Sequence, residues 1–276
     1  MVGFIIGRLN VLKSTDYRMN LLNQRPSIQD QKEAAALTRT VVCLGDSITR
    51  GQVSSSYIDI LDEKMGQDGF QFVNGGVNND LAYNILIRLD DFIDLKPQFV
   101  TLLVGTNDIL AQHTPYKGLG LRILKHLPQK AEFGWYCANL REIIRRIKLW
   151  TQAKIGLLSI PVIGEDLSSP AIEVVKMFNT AVRQIAVQEK ISYLPVFERQ
   201  VEYLKAIRTK PEGRAYAHFM LMTGELVAER GLFHVDYDTF SRRRGYHLVT
   251  DGVHFNKQGA RLIADEIENW LRANAQ

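Results

Sequence analysis

Short runs of apolar residues alternate along this chain with longer stretches whose apolar positions recur every three to four residues. That is the pattern of buried strands exchanging with amphipathic helices. The runs are Val41–Leu44, Phe70–Asn74, Phe99–Val104, Ile155–Ile160 and Ile191–Phe197; the first breaks at Gly45, the third at Gly105 and the fourth at Pro161. Helical spacing predicts helices at Tyr57–Met65, at Leu81–Leu95 (stopping before Pro97) and at Ala131–Trp150. Ser168-Ser169-Pro170 is a helix start, with the helix running to about Glu189, and Asn256 is the N-cap of a closing helix, Lys257–Ala273. Residues 111–130 read as an irregular, apolar and basic loop that passes near any site on that rim. Residues 198–250 are long for a connection and are expected to hold one or two helices, Ala215–Arg230 the best of them.

This alternation implies an α/β fold: a five-stranded parallel sheet in the flavodoxin-like order 2-1-3-4-5, with right-handed crossovers and helices on both faces. Residues 1–39, polar and Gln/Ala-rich in their second half, form an N-terminal extension. A single domain follows at 40–276, with a helical insertion at about 198–250.

Composition narrows the function classes. The 276 residues are 46% hydrophobic and 23% charged, with a net charge of +4 and no Lys/Arg stripe, so nucleic acid is not an expected partner. The cysteines, Cys43 and Cys137, offer neither a disulfide framework nor metal-ligand spacing. No run of eighteen apolar residues exists, so no membrane span is expected. The start lacks the order of charge and apolar core that a secretory signal needs, which makes a cytoplasmic location the default. Residues 1–15 contain no acid, which leaves contact with a membrane surface open beside the plainer reading of a loosely held extension. Oligomeric state is not legible.

Four stations fall just beyond predicted strands or before the last helix, where an open parallel sheet collects its chemistry. Ser47 follows the first strand, Gly76 the second and Asn107 the third, while Asp251 and His254 precede the last helix. Acyl transfer by a serine needs a hydroxyl, a base, an orienter for that base and donors aimed at a developing oxyanion. Ser47 supplies the hydroxyl, His254 a base with a suitable reference pKa, and Asp251 an orienter three residues away in a turn with Gly252. The N–H groups of Ser47 and Gly76 and the side-chain amide of Asn107 are candidate oxyanion donors; a one-residue slip would put Gly75 in place of Gly76. The run Arg242-Arg243-Arg244 reads as a solvated face or as a site for an anionic group, and Phe219-Met220-Leu221-Met222 as an acyl-pocket wall or the buried face of an inserted helix.

Gly45-Asp46-Ser47-Ile48-Thr49, Asn74-Gly75-Gly76, Gly105-Thr106-Asn107-Asp108 and Asp251-Gly252-Val253-His254 together resemble, in order, the four blocks of the GDSL or SGNH-hydrolase superfamily, over roughly residues 40–272. The resemblance implies a three-layer α/β/α sandwich and a serine esterase mechanism without metal or cofactor. It makes Ser47 the nucleophile, His254 the base, Asp251 its partner, and Gly76 and Asn107 oxyanion donors. The second block departs from the pattern: where a further glycine is common, this chain has Asn78-Asn79, and asparagine tolerates a left-handed backbone. A small-molecule or lipid ester is the expected substrate. An acyltransferase or a catalytically silent binding protein on the same fold are the alternatives.

Overall fold

A computed structural model of the chain describes residues 39–207, 224–226, 228–229 and 235–275. Five strands, β1 (Arg39–Gly45), β2 (Phe70–Gly76), β3 (Phe99–Leu103), β4 (Lys154–Leu158) and β5 (Ser192–Leu194), form one sheet in the order β2-β1-β3-β4-β5. Every pairing is parallel. The register aligns Gly45 with Gly76 on one side and with Leu103 on the other, so three strands end level and their following loops share one rim.

The connections are α1 (Ser47–Arg50), α2 (Tyr57–Met65), α3 (Ala82–Ile87), α4 (Asp90–Ile93), α5 (Thr106–His113), α6 (Pro115–Leu124), α7 (Phe133–Trp150), α8 (Pro170–Gln188), α9 (Val196–Ile207), α10 (Tyr237–Arg243) and α11 (Lys257–Asn274). Helices flank the sheet. The α11 helix packs against α2 and α9, and its Trp270 meets Phe99 edge-on at 5.6 Å over the bare Gly156. The α7 helix packs against α3 and α8, with Phe133 and Tyr136 around Phe178. Strands β1 and β3 are apolar in near-continuous runs because both faces are covered.

Several expected boundaries move. Residues 111–130 are not an irregular loop: α5 extends to His113 and α6 occupies Pro115–Leu124, because a helix beginning at proline needs no N–H there. The predicted strand Ile191–Phe197 shrinks to Ser192–Leu194, since Pro195 ends the ladder and α9 starts at Val196. The predicted helix Leu81–Leu95 splits into α3 and α4 around Arg88. Residues 198–207 belong to α9, whereas Phe219–Met222, most of Ala215–Arg230 and residues 1–38 lie outside the described residues. Among the described residues, no helix is long and apolar enough to cross a membrane.

Buried amides tie the loop after β4 to the helices beneath it. Asn179 on α8 accepts from the Ile160 N–H at 2.7 Å and donates to the Ile160 carbonyl at 2.8 Å, while Gln200 on α9 accepts from the Val162 N–H at 2.9 Å. Replacing Asn179 by alanine leaves two buried backbone groups unpaired, an expected cost of about 2–4 kcal/mol in urea denaturation. A loss below about 0.5 kcal/mol would mean that the loop finds other partners.

Candidate active site

Strand β1 ends at Gly45, where any Cβ would collide with the Thr49 hydroxyl and the Leu103 carbonyl. The chain therefore turns at once into α1, whose cap is Asp46: its Oδ1 accepts the Ile48 N–H at 2.9 Å. Ser47 is the first residue of that short helix, and Gly51, at φ 75°, ends it. First-turn N–H groups of a helix have no partner within it, so the Ser47 N–H points free beside its own hydroxyl.

The opposite half comes from a small hairpin, in which Val249 bridges Phe255 and the Thr250 N–H donates to the His254 carbonyl at 2.7 Å. Asp251 and His254 fall within its turn, made tight by Gly252 at φ 94°. The Oδ1 of Asp251 accepts the N–H groups of Val253 and His254, leaving Oδ2 for His254 Nδ1 at 2.8 Å. A carboxylate only accepts, so Nδ1 carries the proton and the neutral ring presents Nε2 as an acceptor. Ser47 Oγ lies 2.9 Å from that Nε2. All three residues are buried. The hydroxyl, base and orienter expected from the sequence are thus brought into one chain of hydrogen bonds.

The expected oxyanion donors fare differently. The Gly76 N–H is already spent on Asn74 Oδ1 at 2.9 Å. What Gly76 contributes is absence: a Cβ there would strike the backbone of Thr49 and Arg50, so a glycine is required for α1 to settle on β2. Gly75 is no substitute, being buried in the ladder opposite Leu44. Asn79, a half-buried residue of this loop at φ 63°, has an N–H with no hydrogen-bond partner among the described residues. Its signal was present in the sequence as the asparagine pair where a glycine is common. Asn107 donates its Nδ2 to Asp46 Oδ2 at 3.3 Å and to the Asp80 carbonyl at 3.2 Å, both at the long end of the N–H···O range.

Three supports were not legible. Asp80, buried beneath the Asn79 turn, is held by Arg88 at 2.8 Å and Lys125 at 2.6 Å, and Arg88 also donates to the Gly45 and Gly75 carbonyls. Glu165, equally buried, accepts the N–H groups of His247, Leu248 and Val249 at 2.6–3.0 Å, while the Gly164 N–H donates to the Gly252 carbonyl at 2.6 Å. The loop that Asn179 and Gln200 anchor therefore grips the His254 hairpin. Lys117 on α6 is the third support: burial pushes its ammonium down to about 8, and the nearby Asp251 and Asp46 carboxylates pull it back up. His247 is drawn into this scaffold through its backbone. The arginine run splits: Arg243 and Arg244 pair with Glu229 and Glu225, and Arg242 donates to Thr239 Oγ1.

Carboxyls next to the site are strained by burial. Desolvation raises Asp46 to about 6, against the Ile48 N–H bond that lowers it. Desolvation likewise raises Asp108 to about 7, against the bond from the Ala82 N–H, with Asp46 and Asp80 adding to the rise.

The sequence model of the GDSL-like lipase/acylhydrolase family matches residues 43–262. No curated protein matches the sequence. Among solved structures, the fold is similar to Axe2, an acetylxylan esterase from Geobacillus stearothermophilus, with a TM-score of 0.60 and 18% identity, covering 86% of this chain and 94% of that one. It is also similar to the acetyl xylan esterase AlAXEase (TM-score 0.58, 18% identity, 84% of this chain and 99% of that one). LAE5, an alpha/beta hydrolase enzyme from the metagenome of Lake Arreo, Spain, gives a TM-score of 0.60 at 18% identity, covering 86% and 95%.

The raised Asp108 value has a consequence for stability. Between its unperturbed value of 3.8 and about 7 the folded protein holds a proton that the unfolded chain has lost. Stability from this group is complete at low pH and lost as pH rises through that window. In Asp108→Asn, which keeps an acceptor for Ala82, the fall in Tm between pH 5 and pH 7.5 is expected to be shallower than in wild type. An unchanged slope would exclude Asp108 as its source.

Proposed function

This chain belongs to the GDSL-like lipase/acylhydrolase family and is a serine ester hydrolase, and we propose that it works through an acyl-enzyme on Ser47. The observation that carries this reading is the unbroken chain from Ser47 Oγ to His254 Nε2 and from His254 Nδ1 to Asp251 Oδ2, at 2.9 and 2.8 Å.

Ser47 Oγ attacks the acyl carbonyl while its proton passes to His254 Nε2. The imidazolium that forms is stabilised by the Asp251 carboxylate, which keeps its own charge. Negative charge then develops on the former carbonyl oxygen, and the N–H groups of Ser47 and Asn79, without partners among the described residues, are donors for it on that rim. The Asn107 amide is the third donor; its two long bonds are weak enough to be exchanged for a shorter one to a charged oxygen. Collapse of the tetrahedral adduct expels the alcohol, which takes the proton from Nε2. Water, deprotonated by the same nitrogen, releases the acid and restores Ser47.

The neighbouring acetylxylan esterases support a short acyl group, since the same fold holds such substrates there. Hydrolysis of p-nitrophenyl esters from acetyl to long acyl chains tests both points. Ser47→Ala is expected to lose activity by at least about a thousandfold. Equal rates in Ser47→Ala and wild type would sink the acyl-enzyme. Asn107→Ala is expected to lower kcat by roughly 10²–10³; an unchanged kcat would remove its amide from the oxyanion site.

A further inference from the structure

The outer face of α6 carries four of the nine large apolar side chains that stand exposed among the described residues. Tyr116, Leu119, Ile123 and Leu124 are 62, 61, 67 and 59% exposed. At successive offsets of three, four and one they fall within one stripe, with the bare Gly120 between them. The inner face is already settled. Leu121 is buried in a cluster with Leu81 and Ala111, Gly118 lies against the Ala111 carbonyl, and Lys125 is pinned on Asp80. Rotating the helix to hide the stripe would break all of these contacts.

Charge says what the stripe meets. From Ile109 to Ala131 the sequence has no Asp or Glu. Arg122 on the helix and Lys130 in the segment that follows it are exposed and have no ion-pair partner among the described residues. An apolar stripe in a segment that carries cations and no acid matches an anionic interface, where acyl chains take the apolar groups and headgroup phosphates the cations. A second copy of the same face would instead set like charges against each other.

We propose that α6 docks this protein on an anionic phospholipid surface, with Leu119 and Ile123 at the headgroup boundary and Arg122 and Lys130 on phosphates. Lys117 of the same helix feels the Asp251 and Asp46 carboxylates, so the helix that docks also borders the site. That this brings an ester within reach of Ser47 rests on the hydrolase reading above; the docking itself does not.

The test uses the full chain, with co-sedimentation on phosphatidylcholine vesicles with and without phosphatidylglycerol. Wild type is expected to bind the anionic vesicles and to be released by salt. The double variants Leu119→Ser/Ile123→Ser and Arg122→Glu/Lys130→Glu are each expected to weaken partitioning by about tenfold or more. Both are expected to hydrolyse soluble p-nitrophenyl acetate at the wild-type rate, which shows that they fold. Three results would overturn the proposal: no binding by wild type, wild-type binding by both variants (binding through residues 1–15, for example), or a dimer by light scattering that the apolar variant turns into a monomer. Absence of p-nitrophenyl ester hydrolysis in wild type would instead strike the catalytic reading and leave the vesicle result standing.

Discussion

The closeness of backbone at the end of β1 is the constraint from which the rest of the site follows. Gly45 sits level with Gly76 and Leu103, and neither glycine position has room for a Cβ. This lets α1 begin one residue beyond the strand and lie directly on β2. Ser47 is thereby held by backbone geometry and the Asp46 cap rather than by packing of its own small side chain. A short polar side chain has little area with which to fix itself, so its position has to be inherited from the main chain.

The partner half is held in the opposite manner, by buried polar groups. The His254 hairpin sets Val249, Val253 and Phe255 into the core, and its alignment comes from Glu165, from Gly164 and from Ser54, whose Oγ accepts the Phe255 N–H at 3.0 Å. Gly164 and Glu165 reach it from the loop after β4, and Ser54 from the loop after α1. On the other flank, Arg88 and Lys125 hold Asp80 beneath the Asn79 turn. Such networks are stabilising only when each member is satisfied, and the raised values at Asp46 and Asp108 show what taking carboxyls out of water beneath one rim costs.

Periodicity made the sheet order and most helices legible, because strands covered on both faces and helices covered on one leave opposite imprints on a sequence. The triad was legible because its members stand in two short blocks, Gly45–Thr49 and Asp251–His254, at turns in the order expected for one rim. The oxyanion side was only half legible: Gly76 was expected to donate its N–H, and the structure uses its missing side chain instead. Asn79 was visible only as a departure from a pattern. Glu165 left no local mark at all, since its three partners lie more than eighty residues away and a lone glutamate in a loop looks like solvent-facing charge. The α6 helix was hidden for the converse reason: glycines, a proline and outward-facing apolar residues imitate a loop when no buried stripe disciplines them.

Ser47 and His254 are 207 positions apart, and the hairpin that carries His254 leads straight into the last helix. During synthesis the nucleophile therefore leaves the ribosome long before its base. At the usual pace of about 5–20 residues per second, ten seconds or more separate the two. For that interval the growing chain carries Ser47 as an ordinary alcohol, and it becomes a reagent only when the turn with Asp251 and His254 folds back onto the loop after β1. The order of synthesis thus keeps the half-made molecule chemically quiet.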